Sequence, residues 1–185
     1  MHDRLIGQYL TLEEFCTCTQ TYQKYADQID PYPKNWEETI LALGALCEHI
    51  VDPVIDEFGQ ERFQLTYGFC SADLKRWLAK KDPVTGVKHG VASPDRDQHM
   101  AHEVNRKGNY YCSRLGAAGD FRIVDLSSDE LVDWIVAREL PFDSLYFYGA
   151  ERPIHVSYGP QQKRDLWAFT ARGTPTRYAI GPQGG

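Results

Sequence analysis

Imidazole, thiol and carboxylate groups are concentrated in two stretches of this chain. The first runs Asp97-Gln98-His99-Met100-Ala101-His102-Glu103, then Cys112-Ser113-Arg114-Leu115-Gly116-Ala117-Ala118-Gly119-Asp120. The second is Glu151-Arg152-Pro153-Ile154-His155-Val156-Ser157-Tyr158. Neutral imidazole, thiolate and carboxylate are the donors a zinc ion takes. His99 and His102 are three apart, so on a helix they share a face and can reach one ion. The order is not the His-Glu-x-x-His of helical zinc proteases, because Glu103 follows the second histidine. Cys112 is a strong ligand as thiolate. Ser113 is a poor ligand but a good hydrogen-bond partner. His155 lies in a strand pattern, with Val156 turned away and Ser157 on its own face. Asp120 opens a strand just after Gly116-Ala117-Ala118-Gly119, whose small side chains leave space beside the backbone. Each residue also has a plainer use. A lone strand histidine is more often hydrogen-bonded than ligating, and a helical histidine pair more often faces solvent.

The elements that must position these groups read as follows. Thr11-Leu12-Glu13-Glu14 is a capping box opening a helix that runs to about Ala26. Pro31 and Pro33 break the chain. Asn35-Trp36-Glu37-Glu38 starts a second helix whose apolar face carries Ile40, Leu43, Cys47, Ile50 and Val54. Asp52-Pro53 kinks or splits it, and Gly59 caps it. Arg62 to Tyr67 alternates as a strand, and Ser71 caps a further helix. Turn signals dominate from Lys80 to Arg96. A helix from Asp95 or Asp97 then carries His99, His102 and Glu103 until Lys107-Gly108-Asn109. Asp120 to Val124 is a strand, and Ser127-Ser128-Asp129-Glu130 caps the next helix. Segments 144–148, 154–158 and 166–170 are three more strands. Helices come early and strands cluster late, which predicts an α+β domain rather than alternating βαβ units. One domain over 1–185 is expected, with 181–185 a loose tail.

Composition narrows the function classes. At 185 residues, with 42% hydrophobic and 25% charged content, the chain has the make-up of a globular domain. The net charge of -6 supplies no global basic field, so no nucleic-acid partner is expected. No apolar run approaches the roughly 20 residues that span a bilayer. Met1-His2-Asp3-Arg4-Leu5 lacks a secretory pattern, so a cytoplasmic location without membrane association is expected. The five cysteines are odd in number and irregularly spaced, unlike a disulfide framework.

Taken together, these residues resemble the zinc D-alanyl-D-alanine carboxypeptidase and hedgehog-like superfamily. That family has a strand and a Ser-Gly-Tyr-Arg-like turn, then Ser-x-His-x-x-Gly-x-Ala-x-Asp, and later a glutamate shortly before a second histidine. Here Leu65 to Ser71 resembles the turn. Gly116, Ala118 and Asp120 match Gly-x-Ala-x-Asp, and Pro153 to Tyr158 resembles the second histidine strand. The departures are specific. The family's first histidine position falls on Ser113, and either His99 (in Asp97-Gln98-His99, like Ser-x-His) or Cys112 can take its place. The turn arginine is replaced by Cys70. Arg152 stands where the catalytic glutamate would be, with Glu151 one residue further back.

The resemblance implies N-terminal helices packed on a mostly antiparallel sheet. It also implies one zinc ion held by His99, Asp120 and His155, with Cys112 the alternative first ligand. Glu151 or Glu103 would then be the general base. Ser113, Ser157 and Tyr158 would orient substrate, and Arg114 or Arg122 would receive its terminal carboxylate. The implied activity is that of a zinc peptidase or amidase on a small or cell-wall-type peptide. The alternative is a non-peptidase descendant with an altered site that binds a ligand or a protein. A third reading is a thiol-based site at Cys112.

Overall fold

Thr11 and Glu14 close the expected capping box: Thr11 Oγ1 accepts from Glu14 N, and the Glu14 carboxylate accepts from Thr11 N at 2.7 Å. In this computed structural model, which describes residues 3–93 and 95–179, the helix they open is shorter than predicted. The expected tail, 181–185, lies outside the described residues. Helix α1 (Leu12–Thr17) stops, and Thr19 caps a separate α2 (Gln20–Lys24) by accepting from Tyr22 N. A side-chain hydroxyl that captures a backbone N–H competes with helix continuation. A 3-10 turn follows at Ala26–Gln28.

Helix α3 (Trp36–Leu46) passes through a π turn at Cys47–Val51 into α4 (Asp52–Phe58). Pro53 has no N–H for an unbroken α ladder, and the wide turn just before it absorbs the missing bond. Asp52-Pro53 therefore modulates one long helix. Gly59, at φ +91°, ends it with its N–H on Ile55 O, as the sequence predicts.

The strands are β1 (Phe63–Tyr67), β2 (Ala117–Ile123), β3 (Ser144–Phe147), β4 (Ile154–Tyr158), β5 (Asp165–Phe169) and β6 (Pro175–Arg177). Helix α5 (Ala72–Ala79) is capped by Ser71, and α6 (Ser128–Ala137) carries a capping box built on Ser127. The sheet order is β1-β2-β4-β3-β5-β6. Four neighbouring pairs are antiparallel, but β3 and β5 are parallel. The architecture is thus α+β with a mixed sheet, and β6 carries no alternation that marks it as a strand.

Alternation along the strands assigns the two sheet faces. Phe121, Leu145, Ile154 and Val156 point into the main core, where they meet Leu46, Ile50, Leu131 and Ile135 of the helical layer. Each such fully buried side chain contributes about 1.5–3 kcal/mol. The opposite face presents Asp120, His155 and Tyr146, and segment 95–115 closes over part of it. That segment is irregular where a helix was expected. Gln98 and Ala101 have φ of +58° and +43°, which a right-handed helix does not admit. A second apolar cluster anchors it, since Met100 is buried with Cys70, Leu74 and Leu78. Helix α5 therefore supports the residue next to His99.

Candidate metal centre

One row of residues crosses the open face of the sheet in register. Tyr67 opposes Asp120, Asp120 opposes His155, His155 opposes Tyr146, and Tyr146 opposes Trp167. The two central members come from β2 and β4, so backbone pairing alone sets Asp120 beside His155. His155 Nδ1 lies 2.8 Å from Asp120 Oδ1. A register shift in β1 between Leu65 and Tyr67 turns Tyr67 onto this face. Thr66 Oγ1 secures the shift by donating to the Asp120 carbonyl at 3.0 Å.

His99 enters from the covering segment and is held at both ends by the turn after β1. Its Nδ1 lies 2.8 Å from Gly68 O, and Cys70 N–H donates to His99 O at 2.9 Å. A carbonyl only accepts, so Nδ1 of His99 carries a proton and Nε2 faces the cluster. Nε2 is 3.1 Å from Asp120 Oδ1 and 3.2 Å from His155 Nδ1. Gly68 is required here because a Cβ would sit 2.5 Å from Phe15 O.

His99, Asp120 and His155 each offer one ligand atom, all within 4.8 Å of one another. Both imidazoles are buried, and the Asp120 side chain is 24% exposed. Burial disfavours the protonated form of His99, but Asp120, Asp97 and the Gly68 carbonyl outweigh it and raise its pKa from 6.5 to about 9. Burial likewise disfavours ionised Asp120, yet the two imidazoles hold its pKa well below the usual carboxylate range. Below about pH 9 ionised Asp120 thus faces a protonated His99, and once that proton is displaced the two imidazoles and the carboxylate form a donor set that suits a divalent transition ion. His155 Nε2 is buried without a hydrogen-bond partner. Among the described residues the ring's polar contacts all run through Nδ1, toward the cluster.

The group lies on the floor of a cleft of about 570 Å³. Tyr67, Tyr146, Tyr148, Trp167 and Phe169 form much of its wall, and Asp97 and Arg96 also line it. Tyr67 packs on the His99 ring at 4.1 Å between centroids, and Tyr146 stacks on His155 at 4.8 Å. Tyr146 and Tyr148 both line this cleft. Trp167, Phe169 and Tyr67 had no signal beyond an aromatic at strand spacing.

The other candidates lie elsewhere. His102 does not share a face with His99; its Nδ1 is 3.3 Å from Glu38, and its Nε2 accepts from Gly116 N. Cys112 is buried outside the three-residue group, and burial pushes its thiol pKa up. The Glu103 carboxylate accepts from Lys34 N and Asn35 N at 2.7 and 2.8 Å, tying the covering segment to the start of α3. Glu151 is exposed in the turn between β3 and β4, beside the stretch from Arg122 to Ser128. Ser113 is exposed in a turn. Ser157 bonds Ser144 at 2.7 Å, while Arg114 lies 3.7 Å from the buried Asp143. Tyr158 is on the opposite face, stacked on His49. Arg122 donates to Gln64 on the exposed sheet surface.

The small-residue run has a different use from the one expected. A Cβ on Gly116 would lie 2.1 Å from Tyr158 O, and one on Gly119 would touch Leu65. Smallness there serves close backbone packing rather than ligand space. All five cysteines are free. Among the described residues no helix is long and apolar enough to cross a membrane.

No family model, no curated protein and no solved structure matches this chain. The class of site is accordingly defined by geometry alone: two histidines and one aspartate, on an α+β scaffold, at the base of an aromatic cleft.

Proposed function

We propose that this protein is a zinc-dependent peptidase or amidase acting on a small peptide or peptide-like amide, related to the zinc D-alanyl-D-alanine carboxypeptidase and hedgehog-like superfamily. The observation that carries the reading is the convergence of His99, Asp120 and His155 on one point of the cleft floor. Bound there, zinc would supply an activated water and polarise the scissile carbonyl. The chain's own groups have definable tasks. The Gly68 carbonyl keeps the His99 proton on Nδ1, leaving Nε2 free to ligate. Asp120 supplies the negative charge. Tyr148 lines the cleft, and burial together with Asp120 raises its pKa, so its hydroxyl stays protonated and can donate to an oxyanion.

A second reading has its own support. Asp97 and Asp120 are the only carboxylates among the described residues of the cleft lining. Asp97 already accepts from Ser93 N and His99 N. No glutamate is at hand as a general base, which favours a metal-dependent binding module descended from the same fold. Turnover separates the two. The peptidase reading predicts zinc-dependent release of amine from D-alanyl-D-alanine, L,L-dipeptides or N-acyl amino acids, lost in His155→Ala. Stoichiometric zinc without turnover on any of them favours the binding module.

A further inference from the structure

The floor and wall of the cleft are parts of the same cross-strand row, and that fixes a distance. Neighbouring strands lie about 4.8 Å apart. Tyr146 is one strand from His155 and Trp167 is two, so Trp167 stands roughly 10 Å from the histidine along the sheet. Tyr146 is already stacked on His155, and Phe169 meets Tyr146 edge-on at 5.3 Å. Phe169 also packs on Tyr148, at 5.2 Å. Trp167 is half-buried, lines the cleft and stacks on no ring among the described residues. Beyond Trp167 the row continues to Arg177 of β6, and among the described residues no ring covers the indole face.

From this geometry we infer that Trp167, next to Tyr146 and Phe169 on the sheet, is a subsite for an aromatic side chain two to three residues from the group that sits at the His99–Asp120–His155 cluster. An extended peptide advances about 3.3 Å per residue, so this spacing spans the roughly 10 Å between floor and indole. Ring-on-ring contact is favoured because Trp167 and Phe169 offer apolar faces. That the ligand is a peptide rests on the function proposed above; the aromatic recognition rests on the wall itself.

Calorimetric titration of the zinc-loaded full chain with Ala-Ala-Ala, Phe-Ala-Ala and Ala-Ala-Phe tests the subsite. Where cleavage occurs, the ratio of kcat/KM replaces the ratio of affinities. One phenylalanine peptide is expected to win over Ala-Ala-Ala by roughly tenfold. Trp167→Ala abolishes that advantage, and Trp167→Phe retains most of it, with zinc content unchanged in both. Equal preference for all three peptides, an advantage that survives in Trp167→Ala, or no binding of any peptide overturns the inference. So does binding of an N-acetylglucosamine trimer in place of the phenylalanine peptides. An aromatic preference without cleavage would retire the peptidase reading and leave the subsite standing; cleavage without the preference would do the reverse.

Discussion

Asp120 Oδ1 and His155 Nδ1 are 2.8 Å apart because the two residues directly oppose each other on adjacent antiparallel strands. Backbone hydrogen bonding holds that pair, so it does not depend on a flexible loop. His99 is the member brought in from irregular chain, and it is the one whose position rests on identifiable supports.

Proton linkage at His99 gives the first prediction. Its pKa is raised from 6.5 to about 9, chiefly by Asp120 working against burial. The raised value means that the ion pair stabilises the metal-free fold fully below pH ~6.5. That contribution is lost as pH climbs through about 9. The melting temperature of chelator-treated protein is expected to fall across this window. Zinc must displace the proton, so uptake near pH 7.5 releases about one proton, and affinity rises roughly tenfold per pH unit before levelling off. Calorimetry in buffers of different ionisation enthalpy measures both. Affinity independent of pH between 6.5 and 9 contradicts the assignment.

Gln98, with its left-handed backbone, is a positioning residue for its neighbour. Its side-chain amide donates to Leu115 O at 2.6 Å and to Asp143 Oδ2 at 2.9 Å. Gln98→Leu keeps the volume and removes both bonds. Stability is expected to drop by about 1–3 kcal/mol, because the buried Asp143 loses a partner. Zinc affinity is expected to fall by about tenfold as His99 loosens. Denaturation and zinc titration on the same preparation check the two effects, and unchanged affinity would show that Gly68 and Cys70 suffice to hold His99.

Gly116 separates packing from ligand room. It sits at φ +82° with Tyr158 O where a Cβ would go. Gly116→Ala is expected to cost at least about 2 kcal/mol and lower Tm by about 4 °C or more. Zinc stoichiometry should be unchanged. Loss of metal without loss of Tm would instead place the run at the ligand.

The strand assignments for β2 and β4 were legible because apolar alternation around Phe121 and Val156 reports burial of one face. Asp120 and His155 then fell on the other face by parity. The capping boxes at Thr11 and Ser127 were legible for a similar reason: their bonds are local. His99 stands out by residue type, yet the helix expected around it does not form. Nothing in the residue types of Gln98 and Ala101 announces positive φ, which the surrounding contacts impose. The assembly of the aromatic wall has no local signature, because it depends on β3 pairing in parallel with β5, a long-range choice. Glu151 follows from the motif position that the resemblance supplies and Glu103 from the helix expected around His99; neither signal reports which face or turn the carboxylate occupies.

Metal analysis of purified and zinc-reconstituted protein is the most direct test of the central claim. The wild-type chain and a His89→Ala control, whose ring packs against Tyr25 away from the cluster, are expected to hold one zinc per chain. Asp120→Ala and His155→Ala are expected to hold none while retaining their far-ultraviolet spectra. A folded wild-type chain that takes up no divalent ion, or alanine variants that bind zinc as well as the parent, would contradict it.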